Sequence, residues 1–218
     1  MMKKLGCLHA HHSNIEYIEQ AFQSEEDLEL LHFVDPGVLQ HVSKGSDGVA
    51  YKVKEQIEWI ISCDVDAMLI TCTNYIALLE NEAVFNASIP IIKIDEPFFE
   101  SICNVQQPQI ILFTNPATVE GTMARLHQYA RQHGKSVNVE AKIIKGTFDL
   151  IMQGKKKAYN DAISQALHKL MSEQKAISVA QLSMMDAARQ FEEQTAQTII
   201  HPLRALVEVV KKQMEVTL

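Results

Sequence analysis

Two rhythms of apolar and polar residues alternate along the chain. Short apolar runs, "KKLGCLHA", "DLELLHFVDP", "DAMLITC", "IPIIKID", "PQIILFTN", "NVEAKIIKG" and "AISVAQLSM", read as strands. Several carry almost no polar alternation, as strands buried on both faces of a parallel sheet should. Between them, apolar residues recur at helical spacing. "GVAYKVKEQIEWIISC" places Val53, Ile57, Ile60 and Ile61 near one face. "SNIEYIEQAFQS" is a helix that Ser13 or Asn14 would cap. "NYIALLENEAV", "PATVEGTMARLHQYARQHG", "KKKAYNDAISQALHKLMSEQ", "MDAARQFEEQTAQ" and "HPLRALVEVVKKQMEV" are further helices. The third-last of these opens on lysines, and "PATVEGTM…HG" has proline in its first turn and glycine past its end. Asp35-Pro36-Gly37 is a turn.

The strand–helix order restarts near Pro108, which suggests an internal duplication. The strand ending near His9 then corresponds to the one ending near Thr114, and Cys72 corresponds to Ser183, 111 residues on. The expected fold is α/β: two pseudo-symmetric lobes, each a mainly parallel sheet flanked by helices, with the active site in the cleft between them. Residues 1–100 plus 200–218 would form the first lobe and 101–199 the second, with the last helix packing back on the first.

Composition narrows the function. Hydrophobic residues make up 47% of 218, but no run approaches the ~20 apolar residues of a membrane span. The opening "MMKKLGCLHAHHSN" is too short and polar in its apolar part for a signal peptide. A cytoplasmic protein without a membrane partner is expected. A net charge of −7 argues against nucleic acid as a partner. The one basic run, "GKKKAYNDAI", reads as a solvated helix start. Cys7, Cys63, Cys72 and Cys103 form no C-x-x-C pair, so thiols rather than a structural zinc or disulfides are expected. "HAHHSN" has no carboxylate-rich partner run, so no metal is expected.

The candidate chemistry lies where strands give way to helices. "DAMLITCTNYIALLE" puts Cys72, Thr73 and Asn74 at such a joint. A thiol at a helix N-terminus has its thiolate favoured by the dipole, and can then act as base or nucleophile. "TNPAT" supplies Thr114, Asn115 and Thr118, and the last strand supplies Ser183 and Met184. Hydroxyls and backbone N–H groups at helix starts suit a small carboxylate. Cys7, Cys63 and Cys103 are assigned to structure, Cys103 on an apolar helix face, and Asp35 to its turn.

"LITCTNY" (69–75), "LFTNPATVEGTM" (112–123) and "VAQLSMMDAA" (179–188) resemble, in order and rough spacing, the motifs of the aspartate/glutamate/hydantoin racemase superfamily. The resemblance spans nearly the whole chain. It implies two α/β lobes, a cofactor-independent reaction, and one cysteine per lobe flanking the α-carbon of the substrate. By match of motif, Cys72 falls on the first-lobe cysteine, Thr73 and Asn74 on its carboxylate-holding neighbours, and Thr114 and Thr118 on the second-lobe hydroxyl loop. Ser183 falls on the second cysteine, with Met184 following. His9 stands where glutamate-type members carry an aspartate, so His9, His11 or His12 is a candidate for the base that a serine cannot be. A homodimer is expected, as is common in the family.

The leading expectation is a racemase- or isomerase-like enzyme on a small carboxylate, amino acid or hydantoin, with Cys72 moving a proton at the α-carbon. A carboxylate-binding or regulatory protein on the same fold, and a decarboxylase or cis–trans isomerase of the superfamily, are the alternatives.

Overall fold

The computed structural model describes residues 2–43, 48–80 and 87–215. The chain divides into two compact units, Met1–Pro97 with Ala205–Leu218, and Phe98–Arg204. In the first, β1 (Lys3–His9), β2 (Leu28–Val34), β3 (Ala67–Ile70) and β4 (Ile91–Lys93) form a wholly parallel sheet in the order β2-β1-β3-β4. The connections are α1 (Asn14–Phe22), α2 (Gly37–Ser43) with α3 (Val49–Ile61), and α4 (Thr73–Glu80). The end of the predicted helix "NYIALLENEAV" lies outside the described residues.

Physical necessity is visible at β1 and β3. All four β3 side chains are buried, so the strand has no polar face to show. Val53, Ile57 and Ile60 of α3 are fully buried, as the helical spacing predicts. A Cβ on Gly6 of β1 would come within 2.9 Å of Ile60 Cγ2 and 3.3 Å of Val65 Cγ1. Glycine is what lets that packing close.

The second unit repeats the plan. β5 (Gln109–Phe113), β6 (Val139–Ile143) and β7 (Ala176–Val179) are parallel in the order β6-β5-β7. A parallel bridge between Ser178 and Ile200 extends the sheet beyond β7, where β4 lies in the first unit. α5 (Asp95–Cys103), α6 (Val119–Gln132), α7 (Thr147–Met152), α8 (Lys156–Leu170), α9 (Met185–Thr195) and α10 (Leu206–Glu215) complete the chain. α2 and α7 are short helices that the periodicity does not reveal.

α5 follows the last strand of the first sheet, yet its Phe98, Phe99, Ile102 and Cys103 pack into the second unit's core with Ile111, Phe113 and Leu126. α10 follows the last extended segment of the second unit, yet it packs on β3 of the first. Its Leu206, Val210 and Met214 are buried, and Lys211 pairs with Glu25 at 2.8 Å. Each unit thus receives the helix that the other's sheet leads into.

Candidate active site

β3 ends at Ile70, and two residues later Cys72 sits at the start of α4. Its carbonyl accepts the first helical bond, from Ile76 N–H at 3.2 Å, which makes it the capping residue. The side chain is half-buried and in no disulfide. The N-terminal end of α4 presents a partial positive charge to it. Thr73 is half-buried in the first helical turn. The side chain of Asn74 lies outside the described residues.

Tyr75 backs this joint. It is fully buried and donates its hydroxyl to the Asp35 carbonyl at 3.0 Å. Burial first, then Asp35 and Cys72, pushes its pKa up, so it is a neutral phenol. Asp35 spends its carboxylate on Gly37 N–H at 2.7 Å, closing the Asp-Pro-Gly turn.

The histidines separate into two groups. His11 and His12 are exposed and side by side, ring centroids 4.3 Å apart, with Ser13 donating to His11 Nδ1. Partial burial, then His12, lowers the pKa of His11. His9, a candidate for substrate binding and for the missing base, points inward. It is fully buried, with both ring nitrogens engaged. The reason is strand alternation: His9 shares a face of β1 with Cys7, and the parallel register sets Cys7 beside His32 of β2.

Glu19 of α1 accepts from His32 Nε2 at 3.0 Å, His32 Nδ1 lies 2.8 Å from His9 Nε2, and His9 Nδ1 lies 2.9 Å from Thr71 Oγ1. A carboxylate can only accept, so the neutral chain reads one way: His32 donates to Glu19, His9 to His32, Thr71 to His9. Burial, then His32, depresses the pKa of His9 to about 4.

In the second unit a register comparison corrects the assumed correspondence. Thr71 N–H bonds Leu8 O in the first sheet, and Ala180 N–H bonds Leu112 O in the second. Asp35 N–H bonds His9 O, and Ile144 N–H bonds Phe113 O. Leu8 therefore matches Leu112, Thr71 matches Ala180, and Cys72 matches Gln181, not Ser183. A turn of 3-10 helix over Leu182–Met184 carries Ser183 two residues farther on.

Gln181 is the hub of this end of the sheet. Its Oε1 accepts from Thr114 N–H and from Thr114 Oγ1, both at 2.9 Å, and its Nε2 donates to Thr118 Oγ1 at 2.9 Å. The backbone N–H fixes which end of the amide faces Thr114. The remaining protons follow. Thr114 gives its hydroxyl proton to Gln181, so Tyr159, 3.0 Å away, must donate to Thr114. Tyr159 has then no proton for Ser183, at 2.7 Å, so Ser183 donates to Tyr159. The Ser183 oxygen is left with its lone pairs to accept a bond from elsewhere. Burial raises the pKa of Tyr159 although Ser183 and Thr114 pull it down, so the phenol is no base for Ser183.

Asn115 uses its side-chain oxygen on Ala117 N–H at 3.0 Å, and Thr118 donates to the Asn115 carbonyl at 2.9 Å. Met184, expected beside the substrate, is fully buried in the core with Tyr159, Ala187 and Phe191. The structure thus brings Thr114, Thr118 and Ser183 together through Tyr159 and Gln181, two residues that the sequence reading missed. Gln181 was legible: it stands two residues past its apolar run, as Cys72 does. Tyr159 has no such signal, since it arrives from α8.

Parallel strands with their polar residues gathered at the carboxyl ends define a class of α/β proteins that bind small ligands there. Comparison with solved structures shows which proteins share the fold. The aspartate racemase of Picrophilus torridus matches with a TM-score of 0.74 at 13% identity, over 98% of this chain and 94% of that one. The allantoin racemase of Klebsiella pneumoniae matches with a TM-score of 0.74 at 20% identity, over 99% and 89%. A glutamate racemase of Bacillus anthracis matches with a TM-score of 0.68 at 15% identity, over 98% and 82%. No protein-family model and no curated protein matches the sequence. The chain has the fold shared by the aspartate, glutamate and allantoin racemases. Among the described residues no helix is long and apolar enough to cross a membrane.

Proposed function

We propose that the chain is a racemase-like enzyme acting on a small carboxylate, amino acid or hydantoin, and that Cys72 moves the proton at the α-carbon. The observation that carries this reading is the half-buried thiol capping α4 at the carboxyl end of β3, in a racemase fold. The thiolate takes the α-proton, becoming a thiol, and the electron pair passes into the substrate's carbonyl as an enolate. Return of a proton to the carbon from the thiol restores both. Donors that bind the enolate oxygen more strongly than the ground-state acid supply the rate gain. Thr73 and Asn74 are assigned to the anionic groups, while Thr114 and Thr118, whose protons are spent on Gln181 and the Asn115 carbonyl, are assigned to holding the second unit's loop in place. Ser183, whose lone pairs are open, is assigned to a substrate N–H.

Gln181 at the position matching Cys72 shapes the expected outcome. A carboxamide is neither acid nor base at neutral pH, so the second thiol of a two-sided racemase has no counterpart there. Proton transfer from one face exchanges the α-hydrogen and retains configuration. The same observation favours a second reading, a carboxylate-binding protein that turns nothing over.

Proton NMR in deuterated water with chiral amino acids, hydantoins and 2-substituted acids tests both. Loss of the α-proton signal with retention, abolished in Cys72→Ser, is the expected result. Exchange that survives Cys72→Ser overturns the assignment to Cys72. Saturable binding without exchange of any member replaces the enzyme by the binding protein.

A further inference from the structure

Cys7, His9 and His32 place a sulfur and two ring nitrogens within 4.8 Å of one another on one face of the first sheet. None of them takes part in the proposed reaction. We propose that these three residues form a buried binding site for a single divalent zinc-type ion. The sequence reading expects no metal because it looks for ligands near one another in the chain. Parallel pairing of β1 with β2 instead brings His32 to Cys7 directly, with His9 two residues along the same strand face.

Zinc takes thiolate and imidazole at about 2.3 Å and 2.0–2.1 Å in a tetrahedron, so its ligand atoms stand roughly 3.3–3.7 Å apart. The three ligand atoms all lie within 4.8 Å of one another, and the two imidazole nitrogens are 2.8 Å apart. Binding requires the two rings to part by about half an ångström. One borderline-soft sulfur and two nitrogens select zinc over magnesium or calcium, which prefer oxygen.

The surroundings are as a metal-bound histidine needs them. A ligating imidazole keeps its other ring N–H on a carboxylate, carbonyl or hydroxyl. His32 has Glu19 on its outer nitrogen at 3.0 Å, and His9 has Thr71 Oγ1 at 2.9 Å. With the His9 proton moved to Nδ1, Thr71 accepts it and turns its own proton to the Leu8 carbonyl at 3.1 Å. The Asn14 amide, at 3.3 Å, takes the remaining lone pair of Thr71. Every donor and acceptor around the rings is then satisfied. Charge also balances: the Cys7 thiolate, the Glu19 carboxylate and a dication sum to zero. Cys7 and His9 are fully buried, and the His32 side chain, 13% exposed, leaves a way in.

Titration of the chelator-treated full chain with cobalt, the spectroscopic stand-in for zinc, tests the site without any assay of activity. The expected result is one equivalent bound, with a thiolate-to-cobalt charge-transfer band in the near ultraviolet that zinc displaces. The band is lost in Cys7→Ser and kept in Cys63→Ser. Because Cys7→Ser could disturb the core, Glu19→Gln provides the second variant. Its side chain is 56% exposed, so the fold stands, and zinc affinity should fall about 10-fold. Absence of the band in the folded wild-type chain, its survival in Cys7→Ser, or unchanged affinity in Glu19→Gln overturns the proposal.

Discussion

Replacing Gln181 by leucine should destabilise the second unit by about 2 kcal/mol, and the hydrogen-bond pattern says why. The amide accepts from Thr114 N–H and Thr114 Oγ1 and donates to Thr118 Oγ1. Thr114 is 2% exposed, so water cannot replace the lost acceptor for its N–H. The hydroxyl can turn its proton to Tyr159, 3.0 Å away, and Tyr159 its own to Ser183, so one buried donor is left unsatisfied, at a cost of about 2 kcal/mol. Thr118 is half-buried, and water takes over there at little cost. Gln181→Glu is the informative partner. A carboxylate still accepts both Thr114 protons, and only the bond to Thr118 must reverse, so a loss of about 1 kcal/mol is expected. Urea denaturation followed by circular dichroism measures both, and amide exchange of Thr114 reports the site itself. If Gln181→Leu costs under 1 kcal/mol with Thr114 N–H still protected, the amide is not the hub described. If Gln181→Glu is as damaging as leucine, loss of the acceptor is not the cause.

Two further outcomes follow from buried groups. His201 sits beside Arg204 and Arg189, and burial, then those charges, lowers its pKa from 6.5 to about 4. Between these values the unfolded chain binds a proton that the folded one refuses, so the contribution is full above pH 6.5 and is lost as pH falls toward 4. About 3 kcal/mol is at stake, and a stability–pH profile that stays as steep in His201→Asn would refute the assignment. Gly6→Ala should cost about 1–3 kcal/mol, because its methyl meets Ile60 Cγ2 at 2.9 Å. Thermal melts of a cycle with Ile60→Ala should show the two losses to be less than additive, and strict additivity would locate the strain elsewhere.

Much of the fold could be read from the chain because its strands are buried on both faces and its helices are amphipathic. β3 has no polar position, and Val53, Ile57 and Ile60 mark a helix face, so local pattern and tertiary role agree there. The site was less legible. Matching the repeated strand–helix order and the family motif leads to Ser183, whereas counting from the end of the apolar run leads to Gln181. Tyr159 and His32 could not be found by any local count. One comes from a helix and the other from a neighbouring strand, and only folding makes them neighbours of Ser183 and His9. His9, a loop-end position in sequence, is by strand alternation a core-facing one.

The exchange of α5 and α10 between the two units sets an order of events during synthesis. The second unit, Phe98–Arg204, is one continuous stretch and can close its core as soon as that stretch has left the ribosome. The first unit cannot, because β3 waits for a helix that is translated after the whole of the second unit. Its sheet must therefore stand with the α10-facing apolar surface uncovered for the time it takes to make more than half the chain. A chain truncated before Leu206 would leave that surface exposed permanently, and would be drawn to chaperones or to aggregation although every strand of both sheets had been made.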